Sequence, residues 1–447
     1  MKNLVFVSAL SLGALISVAA MAQDATVLKG KDAYGDWQKD APGVTRLLTP
    51  DDLEKPAPAS ESASNSPGIV ERLADAMPKV PDGFSVELVA SGIENPRAIR
   101  FAPNGDLFVG NSQAGEVLVF HFPEGGGEPE KSTFASGLMQ PYGIAFYPAD
   151  DPQWVYVAES NGLKRFPYKS GDTVASGEAE TLFDNIAPEH HWTRDVVFSP
   201  DGKTMYYSVG SGSNVGDGTM EREPEGGLEA WASSHPLGVA WGGEERRAAV
   251  LAFDPDGKNE RYYATGLRNC AGMTMQQSTG LPWCVVNNVD ELGDNVPFEY
   301  VTSVADGSFY GWPWYYVGSN PDPRWTDEPR KDLDGKVDVA DVLLQAHSAP
   351  LNIVFYDNDA FGADYKGDAF VALHGSWNRG QRTGYKVVRI AIGDDGKATG
   401  TYQDFMTGFV VDADNVWGRP VGVAVSPDGA LFVSEDGSGT IWKVTKD

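Results

Sequence analysis

The stretch GRPVGVAVSPDGALFVSE, residues 418–435, contains one complete small unit of structure. A polar entry is followed by an apolar strand pattern, an Asp-Gly turn and a second apolar strand pattern. Asp-Gly between apolar runs is a strong hairpin signal, because these residues tolerate the positive φ that tight turns require. The stretch therefore predicts two adjacent antiparallel strands.

The same unit occurs at five other places along the chain. The other copies read NPRAIRFAPNGDLFVGN (95–111), QPYGIAFYPADDPQWVYVAE (140–159), HWTRDVVFSPDGKTMYYSVG (191–210), RNCAGMTMQQSTGLPWCVVN (268–287) and SAPLNIVFYDNDAFGADYKGDAFVAL (348–373). Six copies of one unit predict an all-β fold, a six-bladed β-propeller over residues 80–447. A β-sandwich is the alternative, but it would not explain the repeated unit.

Two segments precede the repeats. Residues 1–22 combine Lys2, an apolar run and Ala-Met-Ala, the pattern of a cleavable signal peptide, which predicts a periplasmic or secreted protein. Residues 23–79 are rich in Asp, Glu, Pro and Ser, so we expect an extended and partly disordered N-terminal arm. No later segment is apolar enough to span a membrane.

Charge and cysteine content narrow the possible partners. The formal net charge is -28, which disfavours nucleic acid and anionic lipid. Cys270 and Cys284 flank a predicted hairpin and could pair in an oxidising compartment. The sequence has no C-x-x-C-H, so we expect no covalently attached haem.

In a propeller, residues before the first strand and after the second strand of each blade gather at the mouth of the central channel. Before the first strands stand Arg97, Gln140, His191, Arg268, Asn269, His347 and Arg419. After the second strands stand Asn111, Glu159, Ser211, Asn288, Asp290, His374 and Glu435. These groups could instead merely cap strand ends and plug the channel.

The composition of this ring suits an anionic, planar ligand. Arg268 and Arg419 could each make bidentate contacts to carboxylates. His191 is the natural general base, because the unperturbed pKa of histidine lies near neutrality.

Nine segments in order resemble a known family. They are HWTRDVVFSPDG, VGSGSNVG, EERRAAVLAFDPDG, GLRNCAG, DELGDN, DGSFYGWPWYYVG, HSAPLNIVFY, HGSWNRG with GYKVV, and RPVGVAVSPDGALFVSED. From about residue 80 to the end, the chain resembles the quinoprotein sugar dehydrogenases of six-bladed propeller fold. The resemblance is closest to their sorbosone dehydrogenase branch.

The resemblance implies pyrroloquinoline quinone (PQQ) and a calcium ion (Ca2+) at the channel mouth. His191 would take the proton from a sugar's anomeric hydroxyl or from a hydrated aldehyde, with Arg268 and Gln140 beside the reactive carbonyl. An external cytochrome c or quinone would accept the electrons. The other residues implied to bind the cofactor are Asn269, His347, Asn378, Arg379 and Arg419, and the implied calcium ligands are Val289 and Asp290.

The chain departs from this family at several positions. Ser211 stands where the soluble glucose dehydrogenases have an aspartate that orients the histidine, so we expect Asp195 or Asn214 to orient His191. Asn288 and Val289 replace an expected Glu-Arg in the calcium loop. These changes keep two alternatives open: a calcium-dependent lactonase-like hydrolase and a non-catalytic carbohydrate-binding propeller.

Overall fold

The computed structural model of the protein describes residues 27–327 and 330–447. The predicted signal peptide therefore lies outside the described residues. Within the described ranges, no helix is long and apolar enough to cross a membrane. The chain forms six sheets arranged as the blades of a β-propeller, with few helices, so the predicted fold class is confirmed.

The first three strands lie in the arm, and the fourth strand follows it. These are β1 (Val27–Lys29), β2 (Thr45–Leu47), β3 (Gly68–Ile69) and β4 (Phe84–Ala90). Four short 3-10 helices connect them, at Gly30–Ala33, Trp37–Lys39, Pro50–Asp52 and Ala59–Glu61.

The first three blades each contain four strands. Blade 1 has β5 (Pro96–Phe101), β6 (Leu107–Asn111), β7 (Glu116–His121) and β8 (Glu130–Ala135). Blade 2 has β9 (Ile144–Tyr147), β10 (Trp154–Glu159), β11 (Gly162–Pro167) and β12 (Glu180–Phe183). Blade 3 has β13 (Val196–Phe198), β14 (Met205–Val209), β15 (Ala249–Phe253) and β16 (Arg261–Thr265), with helices α1 (Leu228–Ser234) and Gly242–Glu244 between β14 and β15.

The last three blades carry longer connections. Blade 4 has β17 (Cys270–Gln276), β18 (Leu281–Val286), β19 (Glu299–Ser303) and β22 (Val342–Leu344). The connection between β19 and β22 contains the hairpin of β20 (Tyr315–Tyr316) and β21 (Asn320–Pro321) and the 3-10 helices Pro323–Trp325 and Lys331–Leu333. Blade 5 has β23 (Pro350–Phe355), β24 (Ala369–Leu373), β25 (Lys386–Ile392) and β26 (Ala398–Met406). After β27 (Asn415–Val416), blade 6 has β28 (Pro420–Val425), β29 (Leu431–Glu435) and β30 (Thr440–Lys446).

All six predicted units form the first two strands of a blade. In each blade these strands pair as an antiparallel hairpin, such as β28 with β29 through Val425 opposite Leu431. The Asp-Gly turn works as predicted, because Gly429 takes φ 88°, a conformation that glycine adopts without strain. The first strands of neighbouring blades contact one another around the axis.

Apolar side chains fill the channel below its mouth. They come from the first strands or from the residues just before them, and they are Ala98, Tyr142, Ala271, Leu351 and Val421. Tyr142 is fully buried, and its hydroxyl donates to the Leu351 carbonyl oxygen at 2.6 Å. Trp192 packs against this group from the mouth side. Together these side chains form the channel floor.

Pairing between distant parts of the chain closes the ring of blades. β4 pairs antiparallel with β30, and Val86 lies opposite Val444. The strand nearest the N-terminal side of the propeller thus completes blade 6. A covalent link lies within blade 4, where the expected disulfide joins Cys270 in β17 to Cys284 in β18.

The expected partial disorder of the arm is not seen in its described residues, which pack on the propeller. β2 pairs antiparallel with β26, and β1 adds a parallel strand outside it, so blade 5 has six strands. Arg46 of β2 is fully buried and lies 2.8 Å from both Asp404 and Asp40. A buried ion pair of this kind fixes the arm in one place.

Candidate active site

His191 lies just before β13, on the mouth side of the channel floor. Its Nδ1 atom is 3.0 Å from both the carbonyl oxygen and the hydroxyl oxygen of Ser211. The Ser211 hydroxyl donates to the Ser213 carbonyl oxygen at 2.6 Å, so it accepts from the imidazole. Nδ1 therefore carries the proton, and Nε2 keeps its lone pair.

The surroundings of His191 keep its imidazole neutral. Burial lowers the pKa of His191 well below its usual range, and the nearby charges of Arg268 and His190 lower it further. The His190 ring packs edge-on against it, with the ring centroids 4.3 Å apart. A neutral imidazole with one available nitrogen can accept a proton from a bound hydroxyl group.

The prediction that Asp195 or Asn214 orients the histidine is wrong. The buried Asp195 carboxylate instead accepts from Arg100 at 3.0 Å, below the mouth. The Asn214 side-chain oxygen accepts from Arg268 at 3.0 Å. Ser211 orients His191 in place of these two residues, because its backbone carbonyl and its hydroxyl both accept from the imidazole Nδ1.

Two buried charged residues, which the sequence analysis did not identify, fix the loop after β14. Arg247 donates through Nε to the Gly210 carbonyl and through Nη2 to the Ser211 carbonyl, both at 3.0 Å. Glu244 accepts from the Gly212 amide at 2.7 Å. Both belong to the segment EERRAAV (244–250), where charged residues directly before a buried strand were the available signal.

Arg268 connects the loops that follow β14 and β18. Its Nη2 atom donates to the Asn214 side chain at 3.0 Å and to the Asp290 carboxylate at 2.9 Å. Nη1 donates to the Asn288 carbonyl at 2.6 Å, and Nε donates to the Asn214 carbonyl at 3.1 Å. Every guanidinium nitrogen thus has a protein partner, so Arg268 braces the site near His191.

Asp290 and His347 continue this network away from Arg268. Burial raises the pKa of Asp290, but the charges of Arg268 and His347 outweigh burial and leave it below its usual range. Burial likewise lowers the pKa of His347, yet Asp290 raises it overall. The His347 Nε2 atom donates to the Gly293 carbonyl at 2.9 Å, and its Nδ1 lies 3.7 Å from the Asp290 carboxylate.

Asn269 presents an unsatisfied acceptor next to the base. Its side-chain oxygen is buried and has no hydrogen-bond partner in the described part of the chain. The Asn269 and His191 side chains both pack against Gly210, and a Cβ atom at residue 210 would overlap both of them. A buried orphan oxygen favours a ligand that brings its own donor.

A second network surrounds Arg419 on the blade 6 side of the mouth. Asp436, which the sequence analysis passed over, accepts from Arg97 at 2.5 Å and from His374 at 2.7 Å. Arg97 also stacks over Trp192 at 5.2 Å, which links this network to the neighbour of His191. Burial and the Arg419 charge lower the pKa of His374 to about 4, so this histidine is neutral.

Arg419 has donors that the described residues leave without partners. Its Nε lies 3.5 Å from the His374 carbonyl, but its two terminal nitrogens have no hydrogen-bond partner within residues 27–327 and 330–447. Burial lowers the pKa of Arg419, although Asp436 partly opposes this effect. A desolvated guanidinium with open donors is suited to a carboxylate ligand.

Three further predicted residues have the following surroundings. Gln140 is exposed with φ 48°, and its amide has no hydrogen-bond partner among the described residues. Asn378 joins the arm to the loop after β18 through Ala63 and Glu291. Arg379 donates to the Asp294 carbonyl at 2.9 Å, and its Nε is buried without a partner in the described ranges.

The predicted calcium ligands differ in their surroundings. The Asp290 carbonyl oxygen accepts from Arg324 at 3.0 Å and from Asn214 at 3.3 Å. Over residues 27–327 and 330–447, the Val289 carbonyl has no donor. No three His, Cys, Asp or Glu side chains of those residues cluster as a metal site would.

A cavity of about 920 Å³ opens beside His190 and Asp290. Its walls come from the loops after β14, β18 and β24 and from Arg222, Arg324 and Trp325. Trp377 stands in its wall with 42% of its surface exposed. Concave sites with a few convergent polar groups and an aromatic wall are typical of small-molecule binding.

Known proteins resemble this chain over most of its length. A pyrroloquinoline quinone-dependent pyranose dehydrogenase from Coprinopsis cinerea is 25% identical over an alignment that covers 82% of this chain and 54% of that protein. The chain thus spans about half the length of that relative. The holo form of the PQQ domain of pyranose dehydrogenase from Coprinopsis cinerea superposes with a TM-score of 0.66 at 22% identity, covering 86% of this chain and 100% of that domain.

A calcium structure of the Trichoderma reesei carbohydrate-active enzyme of family AA12 superposes with a TM-score of 0.68 at 21% identity. It covers 85% of this chain and 99% of that structure. Both structural likenesses bear on the fold. The sequence itself matches the TrAA12-like family over residues 78–301 and 327–447, which include all six blades. The chain therefore belongs to the TrAA12-like family.

Proposed function

We propose that the protein is a PQQ-dependent sugar oxidoreductase in which His191 is the general base. His191 would remove the proton from the anomeric hydroxyl of a sugar or from a hydrated aldehyde. The observation that carries this proposal is the state of the imidazole. It is neutral, its Nδ1 is held by Ser211, and its Nε2 lone pair is available.

The residues at the mouth fit a planar, anionic cofactor. The orphan oxygen of Asn269 would accept a donor from it, and the open nitrogens of Arg419 would pair with a carboxylate. Gly210 lets Asn269 and His191 lie this close together, because a Cβ atom at residue 210 would overlap both side chains. When bound, PQQ supplies a hydride acceptor, and this protein's own residues orient the substrate and hold the proton.

Calcium fits the predicted ligands less well. The Arg324 guanidinium donates to the Asp290 carbonyl, and a cationic donor and a divalent ion repel each other at one oxygen. The Val289 carbonyl remains suitable. Binding of Ca2+ at both carbonyls would therefore require Arg324 to leave Asp290.

The finer features of the function are part of the same proposal. A sorbosone-type sugar, an external cytochrome c or quinone as electron acceptor, and a periplasmic or secreted location follow from the sequence resemblance. The exposed indole of Trp377 beside the cavity supports a sugar, because an aromatic ring can pack on the apolar face of a pyranose.

The hydrolase alternative requires carboxylates that could hold calcium, and the structure gives these carboxylates other partners. Glu159 accepts from the Met139 amide at 2.6 Å and pairs with Lys164 at 2.9 Å. Glu435 accepts from backbone amides in its own blade, including Gly437 at 2.9 Å. Both carboxylates already have protein partners, which favours the dehydrogenase.

The purified protein should be loaded with PQQ and calcium and assayed by dye-linked oxidation of aldoses and sorbosone. We expect stoichiometric cofactor binding and turnover, and His191→Ala should keep binding but lose turnover by at least about 100-fold, the usual contribution of a general base. Arg419→Ala should weaken cofactor binding instead. Absence of PQQ binding at micromolar concentrations would contradict the proposal.

A further inference from the structure

Three segments meet beside the candidate site. One is residues 54–66 of the N-terminal arm, here called the strap. The second is the β18 loop (287–295), and the third is the β24 loop (374–382). The β18 loop carries the calcium candidates, and the β24 loop carries Asn378 and Arg379.

Asn65 joins the strap to the β24 loop with both its backbone and its side chain. Its backbone amide donates to the Trp377 carbonyl at 2.7 Å, and its side-chain amide donates to the Gly380 carbonyl at 2.9 Å. The Asn65 carbonyl and side-chain oxygens accept from Arg382 at 3.0 and 3.1 Å. Arg382 is itself buried, so this contact lies in a fixed environment.

The strap also holds the β18 loop. The Ala57 amide donates to the Leu292 carbonyl at 2.8 Å, and Glu54 accepts from the Asn295 side chain at 3.2 Å. Asn378 connects all three segments, because its side chain donates to the strap at the Ala63 carbonyl and accepts from the Glu291 amide in the β18 loop. These two contacts measure 2.6 and 2.7 Å.

The strap lies outside the part of the chain that matches the family, which begins at residue 78. We propose that the strap is an integral part of the active site and that Asn65 is a positioning residue, which fixes the two loops that would hold cofactor and calcium. The expected effect on cofactor binding rests on the proposed function, whereas the link between the strap and the two loops rests on the hydrogen bonds alone. Asn65 itself touches neither His191 nor Arg419.

The test compares two substitutions that each remove two side-chain hydrogen bonds of the arm. Asn65→Ala removes the bonds to Gly380 and Arg382. The control, Gln403→Ala, removes bonds from β26 to Gly43 at 3.3 Å and Thr45 at 3.0 Å, at the other end of the arm. Both full-length proteins are measured without ligand by hydrogen–deuterium exchange and then titrated with PQQ in the presence of calcium.

In Asn65→Ala we expect exchange in the β18 and β24 loops to accelerate about tenfold, as local opening becomes easier. The Kd for PQQ should rise by about the same factor, while Gln403→Ala changes neither quantity. Asn65→Asp keeps the acceptor for Arg382 and should fall between wild type and alanine. If Asn65→Ala does not fold, Asn65→Asp still tests whether Asn65 positions the two loops.

Unchanged exchange in both loops of Asn65→Ala or Asn65→Asp would overturn the proposal, whatever the titration shows. Faster exchange with an unchanged Kd would also overturn it, because the strap would then order loops that the cofactor does not use. If the wild type fails to bind PQQ although the loops respond to Asn65, the function proposed above fails and only the structural link between strap and loops stands.

Discussion

At the candidate base, Ser211 supplies both acceptors that orient the imidazole. Its hydroxyl is fixed by the Ser213 carbonyl, and its own carbonyl is fixed by Arg247. Neither acceptor is a carboxylate; the hydrogen bond to the Ser211 carbonyl raises the pKa of the ring, but burial and the Arg268 charge outweigh it. This explains how the base stays neutral below the pH at which a histidine usually gains its second proton.

Replacing Ser211 with aspartate should change the pH dependence of the reaction. A carboxylate beside Nδ1 favours the imidazolium, so the pKa of His191 rises by about 1–3 units. The wild-type acid limb of kcat/KM should lie below pH 6.5, and in Ser211→Asp it should move to higher pH. The measurement is the pH profile of kcat/KM with a saturating cofactor concentration.

Ser211→Ala is the matched control for this substitution. It removes the hydroxyl but keeps the carbonyl acceptor, so the acid limb should stay near its wild-type position while kcat falls modestly. An unmoved acid limb in the aspartate variant would mean that His191 does not control the limb.

At this scale the sequence predicts which residue types reach the mouth, but not their partners. His191, Asn269 and Arg419 were foreseen from their places before the first strands. The sequence does not predict that Asn214, Asn288 and Asp290 occupy all the donors of Arg268. Two of these hydrogen bonds go to backbone carbonyls, which every residue has. Asp436 lies outside this prediction because it follows Glu435, the last residue of β29, by one position.

At the scale of elements, the hairpins were predictable and the arm was not. Each hairpin carries its own signal, since both strands and the turn are adjacent in sequence. β1 and β2 have three residues each; β2 pairs with β26, more than 350 residues further along the chain, and β1 pairs with β2. No local pattern marks such a strand, and its acidic, proline-rich surroundings read as disorder.

The buried charges of Arg46, Asp40, Asp404 and Lys386 should dominate the stability of the arm. Lys386 lies 2.7 Å from Asp40 and 2.8 Å from Asp404, so the four groups form one closed cluster. Arg46→Ala would leave two buried carboxylates with one cation, and the free energy of unfolding should fall by about 3 kcal/mol or more. Urea unfolding of the full chain measures this change.

An exposed ion pair provides the comparison. Lys203 lies 3.1 Å from Asp201 at a solvent-facing turn, and both side chains are more than half exposed. Lys203→Ala should therefore change the free energy of unfolding by less than about 0.5 kcal/mol. Equal losses in the two variants would show that the Arg46 cluster contributes no more than a surface contact.

For the whole molecule, the decisive contact is the one between β4 and β30. The six inner strands contact one another in a ring, and this pairing alone completes blade 6. Deletion of residues 440–447 should expose the edges of β4 and β29, and an unpaired edge promotes association between chains. We expect this variant to aggregate and to lose the single cooperative unfolding transition that the intact ring should show.

Circular dichroism and tryptophan fluorescence during heating provide the measurement. Coincident transitions in the intact protein and a broad or absent transition in the shortened one are the expected result. A shortened protein that stays monomeric and unfolds as cooperatively as the intact one would mean that the five remaining blades hold together without closure.

The channel floor built from Tyr142, Ala271 and their neighbours closes the candidate site from below and leaves the opening at the channel mouth. In the proposed dehydrogenase, sugar, oxidised product and electron acceptor would all use this opening, and we expect that no two of them occupy it together. An enzyme of this design should release its first product before the acceptor arrives. Its steady-state kinetics should therefore follow a ping-pong pattern, with parallel lines in double-reciprocal plots and inhibition of one partner by an excess of the other.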